Sequence, residues 1–363
     1  MSTLPMHGGQ LRAIAEQFGV EYDQLLDFSV NINPDGPPAA LLAGLRAAVE
    51  DLSLLTNYPD LEERALRQAV AEFASVAKEC CSVANGFAPL LAATAQALAV
   101  QRCLLPVPAF GEYRRVLEQA GVEVVPLLLS ADGGFRYDVD AILDTAAEAG
   151  CDALLLANPQ NPSGVLFPAE EMRVLLARAA RAGLWMLVDE AFIDYAPQES
   201  ITGGAPMASN FVVFRSVTKF FAVPGLRVAF AVSNAALADE IRRRLAPWAI
   251  TTLAARAVSC GLADGAFADA SRERNERRRV EMAAALEALG VYVYPGCANF
   301  LLFTVPDGAM VQERLITRHH IVLRSCTNYE GLDARYLRAA VRTDAENRLL
   351  LAALACELAN QRA

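Results

Sequence analysis

The stretch Ser216-Val217-Thr218-Lys219-Phe220-Phe221-Ala222-Val223-Pro224-Gly225-Leu226-Arg227 decides how the whole chain is interpreted. It follows the apolar run 211–214 and contains the only lysine beyond residue 78. A sheltered environment can lower the pKa of a lysine amine enough for it to attack a carbonyl, whereas arginine stays charged. The hydroxyls of Ser216 and Thr218 and the guanidinium of Arg227 suit a phosphate group. A reactive lysine beside a phosphate anchor predicts a site for pyridoxal phosphate (PLP).

Size and composition predict a large globular protein. The 363 residues can bury a sizeable core, which we expect to be divided between two lobes. Hydrophobic residues make up 54% and charged residues 20%, which argues against disorder. The net charge of −10, without a long basic run, argues against nucleic acid and anionic membranes as partners.

The remaining compositional signals concern location and metals. The chain has no apolar stretch of transmembrane length and no signal-peptide pattern at its N-terminus, so we expect a cytoplasmic protein. Its eight cysteines are scattered without a Cys-x-x-Cys pair, and it has only 3 histidines. We therefore expect reduced thiols and no metal site.

Near-continuous apolar segments alternate with helical patterns from about residue 81 to residue 232. This alternation predicts an α/β fold with a mostly parallel sheet covered by helices on both faces. Ligands of such sheets bind beyond the carboxyl ends of the strands. Five residues of chemical interest follow predicted strands directly: Gly86, Phe110, Asn161, Asp189 and Lys219.

The C-terminal part has a different pattern. Short alternating segments between residues 291 and 342 predict a smaller α+β lobe, followed by a terminal helix. We expect residues 1–45 to form an N-terminal arm and part of the small domain. Residues 46–240 then form the large PLP-binding domain and residues 241–363 the small C-terminal domain.

Several candidates have a plainer explanation when each is taken alone. Asp189 can keep a ring nitrogen protonated, or it can cap a helix. Asn161 can bind a ring oxygen or belong to a proline-flanked turn, and Phe110 can stack on a ring or pack in the core. Asn31 and Asn33 are equally consistent with ligand binding and with an Asx turn.

Three motifs together resemble the fold-type I PLP-dependent enzymes of the aspartate aminotransferase superfamily, over essentially the whole chain. They are Asn-Pro-Gln-Asn-Pro-Ser-Gly at 158–164, Asp-Glu-Ala-Phe at 189–192, and Ser-Val-Thr-Lys at 216–219 followed by Arg227. The resemblance implies that Lys219 binds the cofactor covalently and that Asp189 pairs with its ring nitrogen. It further implies that Asn161 bonds the ring hydroxyl and that Phe110 stacks on the ring.

The same resemblance implies a phosphate site and a homodimer. The implied phosphate ligands are Gly86, Phe87, Ala88, Ser216, Thr218 and Arg227, with Tyr58 contributed by the partner subunit. Arg338 matches the arginine that binds the substrate carboxylate in this superfamily. The run Phe87-Ala88-Pro89 departs from the superfamily, which usually has an acidic residue within a few positions of the Asn85-Gly86 turn.

Within the superfamily the chain is most similar to histidinol-phosphate aminotransferases and to the L-threonine-O-3-phosphate decarboxylases of cobalamin biosynthesis. The decarboxylase likeness is carried by His-Gly-Gly at 7–9, Asp-Phe-Ser-Val-Asn-Ile-Asn-Pro at 27–34 and Asn-Tyr-Glu-Gly-Leu-Asp at 328–333. Phe192 stands where the aminotransferases have a tyrosine. The likeness implies conversion of L-threonine O-3-phosphate into (R)-1-amino-2-propanol O-2-phosphate, with amino transfer to a phosphorylated amino substrate as the alternative.

Binding of such a small phosphorylated amino acid needs cationic and amide groups. The candidates for this role are His7, Gly8, Asn33, Asn161, Arg324, Arg338 and Arg342. A third possibility is a non-catalytic regulator built on the same fold. Such regulators carry an N-terminal DNA-binding domain, and we do not expect one here because the enzyme-like pattern already begins at His7.

Overall fold

The computed structural model describes residues 8–362, and side chains as far as residue 359. Within these residues the strands are β1 (Leu26–Asp27), β2 (Cys81–Ala84), β3 (Arg102–Val107), β4 (Glu123–Leu128), β5 (Ala153–Ala157), β6 (Trp185–Asp189), β7 (Phe211–Ser216), β8 (Ala229–Val232), β9 (Tyr292–Val293), β10 (Phe300–Thr304), β11 (Ile321–Val322), β12 (Arg324–Ser325) and β13 (Tyr336–Ala340).

The α-helices of the same region are α1 (Leu11–Phe18), α2 (Ala39–Glu50), α3 (Leu52–Thr56), α4 (Arg64–Ala74), α5 (Phe87–Ala97), α6 (Glu112–Gln119), α7 (Val139–Glu148), α8 (Ala169–Arg181), α9 (Ala235–Arg242), α10 (Thr252–Gly261), α11 (Gly265–Ala288), α12 (Gly308–His319) and α13 (Asp344–Arg362). Polar side chains fix several helix starts, because each accepts a hydrogen bond from a free backbone N–H of the first turn. These caps are Asp138, Asn234, Thr251, Asp264 and Asp307.

The main sheet has seven strands in the order β2-β8-β7-β6-β5-β3-β4. The pairs from β7 to β4 are parallel, whereas β8 runs antiparallel to both of its neighbours. The carboxyl ends of β2, β3, β5, β6 and β7 therefore lie at one edge of the sheet. The predicted α/β class with a mostly parallel sheet is confirmed.

The central strands are apolar throughout because both faces of the sheet are covered. Successive side chains of a strand point to opposite faces. Accordingly, Leu154 and Leu156 of β5 pack into one hydrophobic core, and Ala153, Leu155 and Ala157 pack into another on the opposite face. The sheet is thus held between two layers, which fixes the positions of its strand ends.

The second lobe is built around the antiparallel sheet β12-β13-β10-β9, which packs on α11, α12 and α13 in a core of its own. The N-terminal β1 joins this lobe by pairing in parallel with β11. Its neighbour Phe28 continues the connection, since its carbonyl accepts a hydrogen bond from the Ala340 N–H at the end of β13. The segment after β1 therefore runs from the small lobe toward the edge of the main sheet.

The predicted division of the chain at residues 46 and 240 stays a prediction, and we propose a later boundary. Helix α10 lies against α2 so closely that a Cβ at Gly261 would be 2.8 Å from the Cβ of Leu41. Side chains of α10 and Ala268 of α11 belong to the core of the main sheet, whereas Met282 belongs to that of the small lobe. We therefore place the boundary within α11, which spans the two cores.

No helix in the part of the chain that the structure describes combines the length and the apolar composition needed to cross a bilayer.

Candidate active site

A cavity of about 270 Å³ lies where the carboxyl ends of the sheet meet the small lobe. The large sheet contributes one wall through residues at or just beyond the ends of β2, β3, β6 and β7, among them Gly86, Phe110, Asp189 and Lys219. The opposite wall comes from the small lobe, from the segment after β1 and from Asn161 in the loop after β5. The structure therefore brings together residues that are far apart in sequence.

Asp189, the last residue of β6, is 7% exposed and lies at the floor of the cavity. Its Oδ2 accepts a hydrogen bond of 2.5 Å from the Tyr113 hydroxyl, and its Oδ1 accepts one of 2.9 Å from the Ala191 N–H. Burial raises the pKa of Asp189 to about 6, although these two bonds and the Lys219 charge act in the opposite direction. The carboxyl group therefore keeps its proton to a higher pH than an exposed aspartate does.

Lys219 follows β7 by three residues and lines the same cavity. Burial, together with the positive charges of Arg338 and Arg227 and against the opposing effect of Asp189, lowers its pKa to about 8. About a tenth of the amine is thus neutral at pH 7. A partly neutral lysine amine can act as a nucleophile or exchange a proton at neutral pH.

The end of the cavity near β2 and β7 has the donors of a phosphate site. Helix α5 begins directly after Gly86, so the N–H groups of its first turn lack partners within the helix. Gly86 has a φ of +95°, and a Cβ there would lie 2.9 Å from Nη2 of Arg227. The Ser216 and Thr218 hydroxyls lie 2.8 Å apart beside this turn. A glycine is required here by both backbone conformation and space, and a phosphate fits this set of donors.

The wall from the small lobe is held together by Arg338 of β13. Its Nη1 donates to Oδ1 of Asn161 at 2.6 Å and to the Tyr329 hydroxyl at 3.2 Å. Its Nη2 donates to the Ser29 carbonyl at 3.1 Å, and its Nε is buried without a partner. Arg338 therefore ties both lobes and the N-terminal segment together around the cavity.

Arg324 of β12 lines the cavity beside Arg338, since the two residues are register partners in the antiparallel pair β12–β13. Side chains directly opposite each other in such a pair lie on the same face of the sheet. Arg324 donates to Oδ1 of Asn328 at 2.8 Å, and its guanidinium lies over the Tyr329 ring. Two guanidinium groups therefore face the cavity from one wall.

The two asparagines after β1 have different surroundings. Asn31 lines the cavity, and its Oδ1 is buried without a hydrogen-bond partner. Asn33, predicted to bind substrate, instead donates through Nδ2 to the Phe220 carbonyl at 3.0 Å and to Ser271 Oγ at 3.1 Å. Its backbone N–H also donates to the Lys219 carbonyl at 3.1 Å. Asn33 thus fixes the backbone around Lys219 from outside the cavity lining.

Other predicted residues divide between the cavity and its surroundings. Phe87, Phe110, Asn161, Thr218 and Gly8 line the cavity, and Gly8 has no room for a side chain because a Cβ would lie 2.5 Å from the Ser29 carbonyl oxygen. Ala88 belongs to the first turn of α5 but does not line the cavity.

Two further predicted residues fall outside the cavity lining, and a third is not among the described residues. Arg342 does not line the cavity, because its guanidinium bonds the Asp27 carbonyl at 2.8 Å and Glu346 at 2.6 Å. Tyr58 is 82% exposed and packs against the Trp248 ring at 4.9 Å between centroids. His7 lies outside the described residues.

The structure adds cavity residues that the sequence reasoning missed, notably Tyr113, Tyr329 and Ser29. Tyr113 lies in the first turn of α6, three residues after the predicted site residue Phe110, and this closeness in sequence was the available signal. Phe192 also lines the cavity, 6% exposed and edge-on to Phe300. A phenylalanine there offers no hydroxyl to a ligand.

The fold and site together define a PLP-dependent enzyme of the superfamily that the motifs indicated. The family model described as aminotransferase class I and II matches residues 23–354, so the chain belongs to that family.

Three individual proteins are similar to this chain, one in sequence and two in structure. The chain is 38% identical over 355 residues to a threonine-phosphate decarboxylase of Salmonella typhimurium, covering 96% of this chain and 95% of that protein. The solved histidinol-phosphate aminotransferase of Clostridium acetobutylicum superposes with a TM-score of 0.85 at 28% identity, covering 93% of this chain and all of that one. The histidinol-phosphate aminotransferase of Sinorhizobium meliloti, solved in complex with PLP, has a TM-score of 0.86 at 22% identity and covers 99% and 96% of the two chains.

Proposed function

We propose that this protein is a PLP-dependent decarboxylase that converts L-threonine O-3-phosphate into (R)-1-amino-2-propanol O-2-phosphate, a reaction of cobalamin biosynthesis. The observation that carries the proposal is the pair of guanidinium groups on one wall of the cavity, Arg324 and Arg338. Threonine phosphate has two anionic groups, a carboxylate and a phosphate, and arginine binds either in a fixed geometry. The similarity to the Salmonella decarboxylase over nearly the full length supports the choice of reaction.

The residues of this chain would hold the cofactor as follows. Gly86, the first turn of α5, Ser216, Thr218 and Arg227 would bind its phosphate, and Asp189 would bind its ring nitrogen. PLP, when bound, supplies an electron-withdrawing ring that stabilises negative charge at the α carbon of the substrate. Asp189 suits this role because it lies buried at the cavity floor and its orientation is set by two hydrogen bonds.

The reaction breaks the bond between the α carbon and the carboxylate, releases carbon dioxide and adds one proton to the α carbon. Arg338 and Arg324 would hold the two anionic groups and so set which bond at the α carbon is aligned for cleavage. Arg338 is suited to this task because three hydrogen bonds already fix its guanidinium and its Nε remains without a partner. Lys219 can hold a proton at neutral pH and return it to the α carbon.

Asn31 extends the substrate site, whereas Asn33 belongs to its support. A buried amide oxygen without a partner costs free energy unless a ligand or water satisfies it. Oδ1 of Asn31 is such an atom at the cavity wall, and the substrate ammonium or hydrogen-bonding groups would satisfy it. Gly8 would allow close approach of the backbone from the N-terminal side.

The test is direct. The purified, PLP-loaded protein is incubated with L-threonine phosphate without any keto acid, and carbon dioxide and the amino alcohol phosphate are measured together. We expect equal amounts of the two products, and none from a Lys219→Ala variant. Carbon dioxide at background level with the wild-type protein would contradict the proposal.

Amino transfer of the histidinol-phosphate type is the second candidate, because an amino donor with two carboxylates would also satisfy the two arginines. The Clostridium structure named for that activity supports it. An aminotransferase would convert histidinol phosphate only with a keto acid present and would release no carbon dioxide. The same preparation, assayed with each substrate in parallel, therefore separates the two candidates.

We further propose that the protein is a homodimer in which Tyr58 reaches the phosphate site of the partner subunit. The support is a run of exposed apolar side chains around Tyr58, namely Leu52, Leu55 and Leu61, together with Trp248. Such a patch marks an interaction surface, and a second copy of the chain is the occupant to which we commit.

Mixed subunits test this arrangement. Lys219→Ala and Tyr58→Ala chains are each nearly inactive in the proposal, but a mixed dimer contains one intact site. Random mixing should restore about a quarter of the wild-type activity, since half of the dimers are mixed and each has one working site of two. No recovery in a mixture whose subunits exchange would contradict the shared site. We also propose that the enzyme works in the cytoplasm, consistent with eight cysteines that form no disulfide with one another.

A further inference from the structure

Tyr113 occupies a position for which packing alone does not account. It lies in the first turn of α6 and is 1% exposed, with its ring between Phe87 and Phe110 at centroid distances of 5.4 and 5.5 Å. A phenylalanine would keep these ring contacts. The hydroxyl adds a single hydrogen bond, which it donates to Oδ2 of Asp189 at 2.5 Å.

We propose that Tyr113 is a positioning residue that keeps Asp189 ionised, so that a proton shared between Asp189 and the cofactor's ring nitrogen stays on the nitrogen. The inference rests on the proposed function in one respect, namely that Asp189 faces the ring nitrogen of PLP. A hydrogen bond to the charged form of a carboxylate lowers its affinity for a proton. Where two groups share one proton, weakening the carboxylate as a base moves the proton toward the other group.

The surroundings of Asp189 show how much depends on this hydroxyl. Burial disfavours its charge, and the neighbouring Glu190 disfavours it further. The opposing groups are the Tyr113 hydroxyl, the Ala191 N–H and the ammonium of Lys219. The lysine charge is conditional, because Lys219 has a pKa of about 8 and is the predicted site of covalent attachment to the cofactor. Tyr113 and Ala191 are then the permanent donors to Asp189.

The direction of proton sharing between Tyr113 and Asp189 is also fixed. Burial raises the pKa of Tyr113 well above its ordinary value, and the nearby Asp189 charge raises it further. The phenol therefore keeps its proton throughout the pH range in which Asp189 titrates, and it always acts as the donor. The bond holds the carboxylate by one oxygen while the Ala191 N–H holds the other.

Tyr137 offers a matched control. It is also a buried tyrosine, 8% exposed, but its hydroxyl donates to the Ala157 carbonyl at 2.7 Å and it does not line the cavity. Tyr137→Phe removes a buried hydroxyl from the same part of the fold without removing a bond to Asp189. A general loss of packing or polarity would affect the two variants alike.

The first experiment uses the apoprotein and needs neither cofactor nor substrate. Carbon NMR of protein labelled at the aspartate carboxyl groups follows the titration of Asp189, identified by the signal that Asp189→Asn removes. We expect Tyr113→Phe to raise the pKa of Asp189 by about one unit or more, and Tyr137→Phe to leave it close to the wild-type value. Equal pKa values in Tyr113→Phe and wild type would overturn the proposal.

The second experiment uses the holoenzyme with nitrogen-labelled PLP. The ring-nitrogen shift of the wild type should report a protonated ring, and that of Tyr113→Phe a shift toward the unprotonated form. We expect kcat to fall about tenfold with KM changed less than about twofold, the range that one hydrogen bond to a charged group supports. A ring nitrogen that stays fully protonated in Tyr113→Phe would overturn the proposal even if the apoprotein titration shifts.

A second variant keeps the test decisive if Tyr113→Phe folds poorly. Fluorotyrosine at position 113 keeps the shape of the ring and makes its hydroxyl a stronger donor, so the pKa of Asp189 should fall below that of the wild type. An unchanged or raised pKa would contradict the inference. Failure of the wild type to release carbon dioxide would reject the proposed reaction alone, because the apoprotein titration is independent of any substrate.

Discussion

The two walls of the cavity are built in different ways. The wall from the main sheet, which we call the sheet wall, comprises Asp189, Ser216, Thr218, Lys219 and Arg227, all at or just beyond the ends of β6 and β7 or in the loop that follows β7. The hydrogen-bonded ladder between β6 and β7 places Asp189, and the other four residues follow from the end of β7. The opposite wall is placed by side chains that bond one another across the two lobes.

We call that opposite wall the arginine wall, comprising Asn161, Arg324, Tyr329 and Arg338. Three of its members meet at one point, since Arg338 donates to both Asn161 and Tyr329. The difference predicts different consequences of mutation. Changes in the sheet wall should alter proton affinities and chemistry, whereas changes in the arginine wall should alter substrate binding and orientation.

The largest effect is expected at Lys219, the centre of the sheet wall. Lys219→Ala should lower kcat by at least about a thousandfold, because it removes both the covalent attachment and a proton donor near the α carbon. The variant should also lose the cofactor absorption band that borohydride fixes in the wild type. The chain provides its own control, since Lys78 is its only other lysine and is exposed. Lys78→Ala should keep both the band and the activity. Loss of the band in that variant would show that Lys219 is not the lysine that binds the cofactor.

The low pKa of Lys219 also predicts a pH-dependent gain in stability when the lysine is removed. Between pH 8 and pH 10.5 the unfolded chain holds a proton that the folded protein has released, so the wild-type apoprotein becomes more stable as the pH rises through this window. The depression of the pKa from 10.5 to about 8 corresponds to about 3 kcal/mol. Lys219→Met should therefore be more stable than wild type at pH 7 by up to about that amount.

Denaturant unfolding of the two apoproteins from pH 7 to pH 11 measures this difference. The part of the advantage that comes from charge should decline steadily above pH 8 and end near pH 10.5. A difference in unfolding free energy that stays constant across this range would show that Lys219 is not destabilised by its surroundings. Asp189→Asn, compared with wild type in a separate series from pH 3 to pH 7, should show the opposite trend, because the raised pKa of Asp189 makes the folded wild type lose stability as the pH rises from 3.8 to about 6.

The sheet wall was largely predictable from sequence, for a physical reason. Apolar strands buried on both faces are visible in the sequence, and a parallel sheet gathers its carboxyl ends at one edge. Lys219, Asp189 and Gly86 could therefore be expected at one site, and all three line the cavity. Tyr113 was missed because its hydroxyl reaches Asp189 only through the packing of α6 on the sheet.

The arginine wall was less predictable from sequence. Side chains alternate between the two faces of a sheet only as far as the strand extends. Positions 338, 340 and 342 would share a face if β13 continued, but the strand ends at Ala340. Beyond that residue the Arg342 N–H bonds Oδ1 of Asn347, and the side chain turns to Asp27 and Glu346. Where a strand ends is decided by tertiary contacts, which the sequence pattern did not reveal.

The arginine wall can be tested by comparing Arg338 with Arg342. Arg338→Gln should lower kcat/KM by about a hundredfold, which is about 2.7 kcal/mol and within the range of hydrogen bonds to a charged group. Arg342→Gln should change kcat/KM by less than about threefold but lower the unfolding free energy by about 1–2 kcal/mol, since it loses bonds to Asp27 and Glu346. Steady-state rates and denaturant unfolding of both variants give the four values. A hundredfold fall in kcat/KM in Arg342→Gln would instead support the sequence-based prediction that Arg342 binds the substrate.

The smallest expected effects concern Asn31 and Asn33, two residues apart on the segment that connects the walls. Asn31→Ala should raise KM about tenfold, the equivalent of one hydrogen bond. It should leave the unfolding free energy of the apoprotein unchanged or slightly higher, because Oδ1 is a buried acceptor without a partner in the protein. Asn33→Ala removes the bonds to the Phe220 carbonyl and to Ser271, leaving buried acceptors unpaired. It should lower the unfolding free energy by about 2 kcal/mol and affect KM little. A raised KM in Asn33→Ala, together with a lowered unfolding free energy in Asn31→Ala, would contradict this assignment. Asn33 would then be the residue that binds substrate.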